Sequence, residues 1–493
     1  MNILLQTREV SASARPTHCL PSRGAFLALV CALAGASAAS AAAPCRVEVV
    51  DKQNGWPVPL VELRTTHELA LVTDNAGVVA IDQPELLNRQ AWYHVAGHGY
   101  VAPKDGLGFR GIRLTPQPGG AVRIEVERTN IAKRLGRLTG GGLFAESQKC
   151  GERLDWPESG VFGCDTVQTT LHRGKRFWLW GDTKLPRYPM GVFDSTSATT
   201  DPRPLESFEP PIAVTFDYFR DNRGVPRGVA KMPGTGKGPT WVTGYVSLPD
   251  RAGRQRLVGT YAKIKGYLEA YEIGLCVWND DAEQFERLRT LWTKSEEAPK
   301  PPLHPDGHAV PWTDDQGRHW LLFGNPLPFM RCRATFEAWQ DSDAWAPLQP
   351  QPTLRSAKGD EEVRPASGSI AWNAFRGRWV TVFQQRDGQP SQHGEVWYAE
   401  ADAPTGPWGP AVKVLSHDNY TFYNPRLHQE LTDPVSPILL FEGTYTATFA
   451  NRPPPTPRYD YNQILYRVDL DDPALKPSQQ QSKASRGVLA PGD

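Results

Sequence analysis

The sequence predicts an all-β chain, an N-terminal β-sandwich followed by a five-bladed β-propeller. Three observations carry this. Turn formers and aromatic β-formers are abundant (44 Gly, 45 Pro, 16 Trp) against only 4 Met, which favours short strands and tight loops over long helices. Short β-type runs separated by turn residues fill the first part of the chain, beginning with "CRVEVVD". Strand–turn–strand units then recur with a period of roughly 60–80 residues, a repeat signature that points to propeller blades.

The elements follow in order. Arg8, Arg15 and Arg23 precede the apolar run "AFLALVCALAGA" and the small-residue stretch "SAASAAAP". This reads as a signal peptide over residues 1–41, so the mature protein is expected to be secreted or periplasmic. The apolar run is short for a membrane span, and no other stretch could cross one. Formal charge balances, 54 basic against 54 acidic residues, which gives no reason to expect nucleic acid or an anionic membrane as partner. The oligomeric state is left open. Removing the leader leaves Cys45, Cys150, Cys164, Cys276 and Cys332, an odd number for an oxidising compartment. Cys45 with Cys150 and Cys276 with Cys332 are the candidate pairs, leaving Cys164 as a free thiol on the pocket side beside Asp165.

Residues 45–128 form the first unit, with the runs "PVPLVELRT", "LALVTDNAGVVAI", "AWYHVAG", "GIRLTP" and "AVRIEVER". The unit resembles the carboxypeptidase-regulatory-like, transthyretin-type β-sandwich, with "TDNAGVVAI" as its most recognisable piece. That resemblance implies a supporting or binding role. Residues 129–144, "TNIAKRLGRLTGGG" among them, read as a short helical linker ending in glycines. The tail 471–493 has nothing to bury and is expected to be disordered.

The propeller is assigned to 145–470. Its units begin at "DTVQTTLHRGKRFWLWGDT", "WVTGYVSLPDRAGRQRLVGTYAK", "HAVPWTDDQGRHWLLFGN", "SIAWNAFRGRWVTVFQQ" and "NPRLHQELTDPVSPILLFEGTYT". The repeat aligns with itself through the turn glycines Gly174, Gly317 and Gly377. Nine residues before them stand Asp165, His308 and Gly368, and eight after stand Asp182, Asn325 and Gln385. In a propeller these strand starts and ends share one face around the axis. In the first unit, "RG" as a two-residue turn sets His172 against Lys175 and therefore Asp165 against Asp182. Opposed side chains share a face with Cβ atoms roughly 4.5–5.5 Å apart, so two carboxylates there repel unless one binds a proton, a cation or a substrate. Blade five aligns less cleanly because its loop contains "LTDPVSP", but strand starts and ends bring Glu442, Glu395, Tyr423, Asn424, Arg458, Tyr459, Asp460 and Asn462 toward this mouth, with Trp180 beside Asp182.

Carboxylates, amides and aromatics around a funnel suit a polyhydroxylated ligand, and a close carboxyl pair splits its pKa values into one acid and one base. Asp165, Asp182 and Glu442 are the candidate catalytic residues. Trp180, His308, Asn325, Gln385, Glu395, Tyr423, Asn424, Arg458, Tyr459, Asp460 and Asn462 are candidate carbohydrate-binding residues. "WGDT" and "GEVWYAEADAPTGPWGP" resemble segments of the five-bladed glycoside hydrolases that include arabinanases, β-xylosidases, invertases and levansucrases. The resemblance implies a hydrolase of poly- or oligosaccharide, with furanose- or pentose-containing glycans among the substrates expected, whose first catalytic aspartate matches Asp165. Two other readings use the same face: a lyase with Tyr423, Tyr459 or His308 as base and Arg458 as clamp, and a glycan-binding propeller without turnover. "HPDGH" (His304, Asp306, His308) has metal-binding residue types. No cofactor is required, and a structural calcium ion could sit in the propeller channel. "PGTGKGP" lacks phosphate-loop spacing and reads as a loop.

Overall fold

The computed structural model describes residues 42–186, 188–192, 194–202, 209–232, 236–388, 393–417, 420–449, 458 and 460–479. Side chains are described for these except 188–192. The leader 1–41, Tyr459 and residues 480–493 lie outside this set. Among the described residues no helix is long and apolar enough to cross a membrane.

In the region read as a sandwich the strands join in one eight-stranded sheet, and it is followed by a ring of five four-stranded antiparallel sheets. The inner strands are Val167–His172, Thr240–Pro249, His308–Thr313, Pro365–Asn373 and Thr421–Leu427. Each packs on the next, and the fifth returns to the first, so they surround a common axis. The run "FWLW" shows why a blade strand can be apolar throughout. Trp178 and Trp180 stack at 9° and pack with Leu440 and Leu465 of blade five, whereas Phe177 and Leu179 face Val242 and Tyr261 of blade two. With neighbours on both faces, period-two alternation between core and solvent is not needed.

The segment expected to be a helical linker is partly a strand. Lys133–Arg137 pairs with Asn462–Asp469 and supplies the outer edge of blade five, with Leu135 opposite neither solvent nor charge but fully buried. N-terminal chain thus closes a blade otherwise built from the C-terminal end, satisfying backbone groups that an open sheet edge would expose. A short helix, Ala145–Lys149, follows this strand. The tail is also more ordered than expected: Pro473–Gln479 forms a 3-10 helix, Leu475 is buried with the blade-four and blade-five core, and Arg378 donates to the Gln479 carbonyl at 2.9 Å.

The sandwich joins the ring through buried polar contacts. Asn75, within "TDNAGVVAI", donates to the carbonyls of Arg137 (2.9 Å) and Ile212 (3.3 Å) and accepts from the Arg137 N–H (2.9 Å). Arg134 donates to the Pro59 carbonyl at 3.0 Å and to the Tyr466 hydroxyl at 3.2 Å. Leu60 and Val72 of the sandwich belong to the same apolar cluster as Phe422 and Tyr466.

The proposed disulfides are not formed; all five described cysteines are free. Cys276 instead donates to the Gly259 carbonyl at 3.2 Å. Cys164 is a free thiol, but it points into the blade-one core beside Val161 and Trp180 rather than toward a pocket. Burial pushes its pKa well up.

Candidate active site

The Arg173-Gly174 turn has positive φ at both residues, 48° and 77°, as a two-residue hairpin requires. It fixes the register His172↔Lys175 through Val167↔Trp180, and beyond it Cys164↔Thr183. Asp165 and Asp182 are therefore opposed, with the Asp165 N–H donating to the Asp182 carbonyl at 3.1 Å. The ladder parts here. Thr166 takes φ 46°, and Gly181, not Asp182, donates to the Asp165 carbonyl at 2.9 Å. A Cβ on Gly181 would lie 2.3 Å from Asp165 Oδ1, so the missing side chain makes room for the carboxylate.

Burial raises the pKa of Asp165 to about 6, opposed by hydrogen bonds from the Tyr423 and Tyr461 hydroxyls. The Tyr423 bond reaches Oδ2 at 2.9 Å. Burial first, and then the charge of Asp165, raise Asp182 to about 7, opposed by the Trp241 indole N–H at 3.1 Å. Near neutral pH the pair thus holds about one proton, the state needed for one acid and one base. The Tyr423 and Tyr461 hydroxyls are pushed well above their ordinary range by burial and by Asp165, which disfavours either as a base.

The remaining candidates separate. Asn424 (φ 51°) belongs to the mouth: its side chain donates to Thr166 Oγ1 at 2.7 Å. Asn325 also reaches it, accepting from the Gly368 N–H at 2.8 Å. Glu442 does not join the aspartates. It is fully buried, short of the strand end at Thr446, with His428 Nε2 3.4 Å away. Trp180 is a core residue, 1% exposed, because its strand parity faces blade five. Gln385 accepts from the Arg364 N–H at 2.7 Å; its neighbour Gln384 faces the mouth, accepting from Ser367 Oγ and the Asn424 N–H at 2.6 and 2.9 Å. The longer blade-four turn, between Asn373 and Arg378, puts Gly368 opposite Phe383, which defeats counting from Gly377. Glu395 begins the third strand of its blade, away from the axis, and is paired with Lys413. Arg458 binds Glu146 (3.3 Å), Asp460 binds Lys184 (2.6 Å), and Asn462 is buried, donating to the Asp460 carbonyl. Tyr459 lies outside the described residues.

Sequence reasoning missed Trp241, Tyr461 and Gln384, and placed Asp306 only in a metal motif. Asp306 lies at the entrance to the blade-three inner strand and accepts from Thr243 Oγ1 of blade two at 2.6 Å. The other members of "HPDGH" turn elsewhere, His304 to the Pro302 carbonyl and His308 to Arg426.

Deeper in the channel, Arg426 spans the axis. It donates to His308 Nδ1 at 2.9 Å and to the Thr169 carbonyl and hydroxyl at 3.0 and 3.1 Å, and lies 3.7 Å from Glu430. His308 is thereby buried, its pKa driven well down by burial and then by Arg426. A guanidinium here repels a second cation, so these residues do not fit a channel calcium ion. Among the described residues no group of three or more His, Cys, Asp or Glu side chains could hold a metal.

No family model and no curated protein matches the chain. Among solved structures, the chain is similar to an exo-1,5-α-L-arabinanase from a bovine ruminal metagenomic library, at 12% identity and a TM-score of 0.35, over 62% of this chain and 93% of that one. An α-L-arabinanase from Cellvibrio cellulosa complexed with arabinohexaose matches at 11% and 0.37, over 62% and 91%. A variant exo-β-1,3-galactanase from Phanerochaete chrysosporium with β-1,3-galactotriose matches at 10% and 0.37, over 63% and 61%.

Proposed function

We propose that this protein is a secreted glycoside hydrolase in which Asp165 and Asp182 form the catalytic pair. One observation carries the reading: two opposed carboxyl groups at the propeller mouth, with pKa values raised to about 6 and about 7. Asp182, the more readily protonated, delivers a proton to the leaving glycosidic oxygen. Asp165, kept ionised by tyrosine hydroxyls, faces the positive charge that develops on the sugar. Their opposed register is closer to the roughly 5–5.5 Å carboxyl spacing of retaining enzymes than to the roughly 6.5–9.5 Å of inverting ones.

Secretion rests on the leader sequence. The sandwich is read as a carboxypeptidase-regulatory-like brace, because Asn75 of its most recognisable stretch holds the strand that closes blade five. The lyase reading loses support from Arg458, whose guanidinium is engaged by Glu146.

The test is turnover by the mature protein on a panel that includes arabinan and β-1,3-galactan, with product mass and anomeric configuration recorded. Release of saturated saccharides by wild type, lost in both Asp165→Asn and Asp182→Asn, supports the proposal. Undiminished turnover in both variants, or products bearing a new double bond, would overturn it.

A further inference from the structure

Five residues other than glycine hold left-handed backbone conformations around the mouth: Thr166 (φ 46°), His393 (57°), Asn424 (51°), Phe449 (65°) and Tyr461 (58°). Such conformations are unfavourable for residues with side chains, and for a bulky one like phenylalanine they are outliers that concentrate at ligand sites. Here they form one connected set. Thr166 follows Asp165 and accepts from Asn424, and the Tyr461 hydroxyl bonds Asp165. The Phe449 ring meets Tyr423, the other hydroxyl donor to Asp165, edge-on at 6.1 Å and 77°.

Phe449 is nevertheless 47% exposed. Its second ring neighbour is His393, at 6.5 Å and 83°. Gln384 fixes the tautomer of that histidine. Its Oε1 accepts from Ser367 and Asn424, so its amide nitrogen is the donor to His393 Nδ1, at 2.7 Å. The imidazole proton then sits on Nε2, and burial lowers the pKa, favouring the neutral ring.

We infer that Phe449 and His393 form a wall that stacks one ring of a neutral carbohydrate beside Asp165, the phenyl face covering the apolar face of the sugar and the His393 Nε2–H donating to a hydroxyl. The inference deepens the hydrolase reading of the aspartate pair and rests on it for the orientation of the sugar. Neutrality follows from charge. The aspartate pair, which keeps one negative charge near neutral pH, and Asp306 oppose a uronate at this face; Lys184 and Arg458 are engaged by Asp460 and Glu146, and beside His393 the charge of Asp387 outweighs that of Arg386.

The test uses the Asp165→Asn protein, so that binding is read without turnover. The probes are neutral arabino-, galacto- and xylo-pentasaccharides and penta-galacturonate, titrated by calorimetry. Phe449→Gly in this background suits the positive φ, so its melting temperature should hold or rise while affinity for the best neutral probe falls about tenfold. Phe449→Trp, which keeps a ring, should retain that affinity. Unchanged affinity in Phe449→Gly, or no binding of any probe, overturns the wall. Tighter binding of penta-galacturonate than of every neutral probe overturns the neutral class. Turnover is measured separately with Asp165 intact: its absence, alongside a Phe449-dependent affinity, rejects the hydrolase reading and leaves the wall standing.

Discussion

The backbone N–H of Asp165 donates to the carbonyl of Asp182 at 3.1 Å, and at this pair the strand ladder of the first blade parts. Below it the hairpin belongs to the propeller core; above it the two chains pair again as Gly163–Cys164 with Thr183–Leu185.

This placement has a stability consequence. Both folded-state pKa values lie above that of an unfolded aspartate, roughly 3.9. The folded protein therefore binds more protons than the unfolded chain between about pH 4 and pH 7. Stability from this source is fully present below about pH 4 and is lost as pH rises through about 6 and then about 7. Asp182→Asn should be more stable than wild type at pH 8, by about 1–2 kcal/mol after allowance for solvent screening, and no more stable at pH 4. Urea unfolding at the two pH values checks this; an equal gain at both would refute the assignment.

Activity should follow the same two groups. On the proposed mechanism kcat/KM peaks between about pH 6 and pH 7, falling on the acid side as Asp165 protonates and on the alkaline side as Asp182 loses its proton. Tyr423→Phe removes a hydrogen bond that favours the Asp165 carboxylate, so the acid limb should move upward while the alkaline limb stays nearer its place. Loss of either carboxyl as Asn should cost about 10²–10⁴-fold in turnover. A profile flat from pH 5 to pH 9 would count against the pair.

Gly181→Ala tests the cradle. The added methyl would stand 2.3 Å from Asp165 Oδ1, so the carboxylate must move. The expected outcome is a folded protein, judged by near-ultraviolet circular dichroism, with turnover reduced about 10²-fold, the scale of a small misplacement of a reacting group. Full activity would show that Asp165 need not lie against Gly181.

Asn75→Ala tests the brace. It strands the Arg137 N–H and two buried carbonyls, those of Arg137 and Ile212. Unsatisfied buried groups of this kind cost about 1–3 kcal/mol each, partly recovered by relaxation, so a loss of about 2–4 kcal/mol is expected. Limited proteolysis should then cut first near residues 129–144. Unchanged melting temperature and cleavage pattern would show that the sandwich is not holding the closing strand.

What the sequence determined by itself was whatever depends on local periodicity. The two-residue turn at Arg173-Gly174 sets the hairpin register, and with it the opposition of Asp165 and Asp182, from neighbours a few positions away. The repeated strand–turn–strand pattern likewise determined the number of blades, since every blade must bury both faces against its neighbours. Tertiary structure decided what depends on distant partners. Lys133–Arg137 lacks a helix's apolar stripe and becomes a strand because the far end of the chain offers it an open edge. Trp180 and Glu442 share the chemistry of a sugar site, yet packing turns one into the core and sets the other against His428. Tyr423 and Trp241 come from blades five and two to bond the aspartates of blade one. Local sequence can set which residues oppose each other on one hairpin; which blade reaches across to them is settled only when the ring closes.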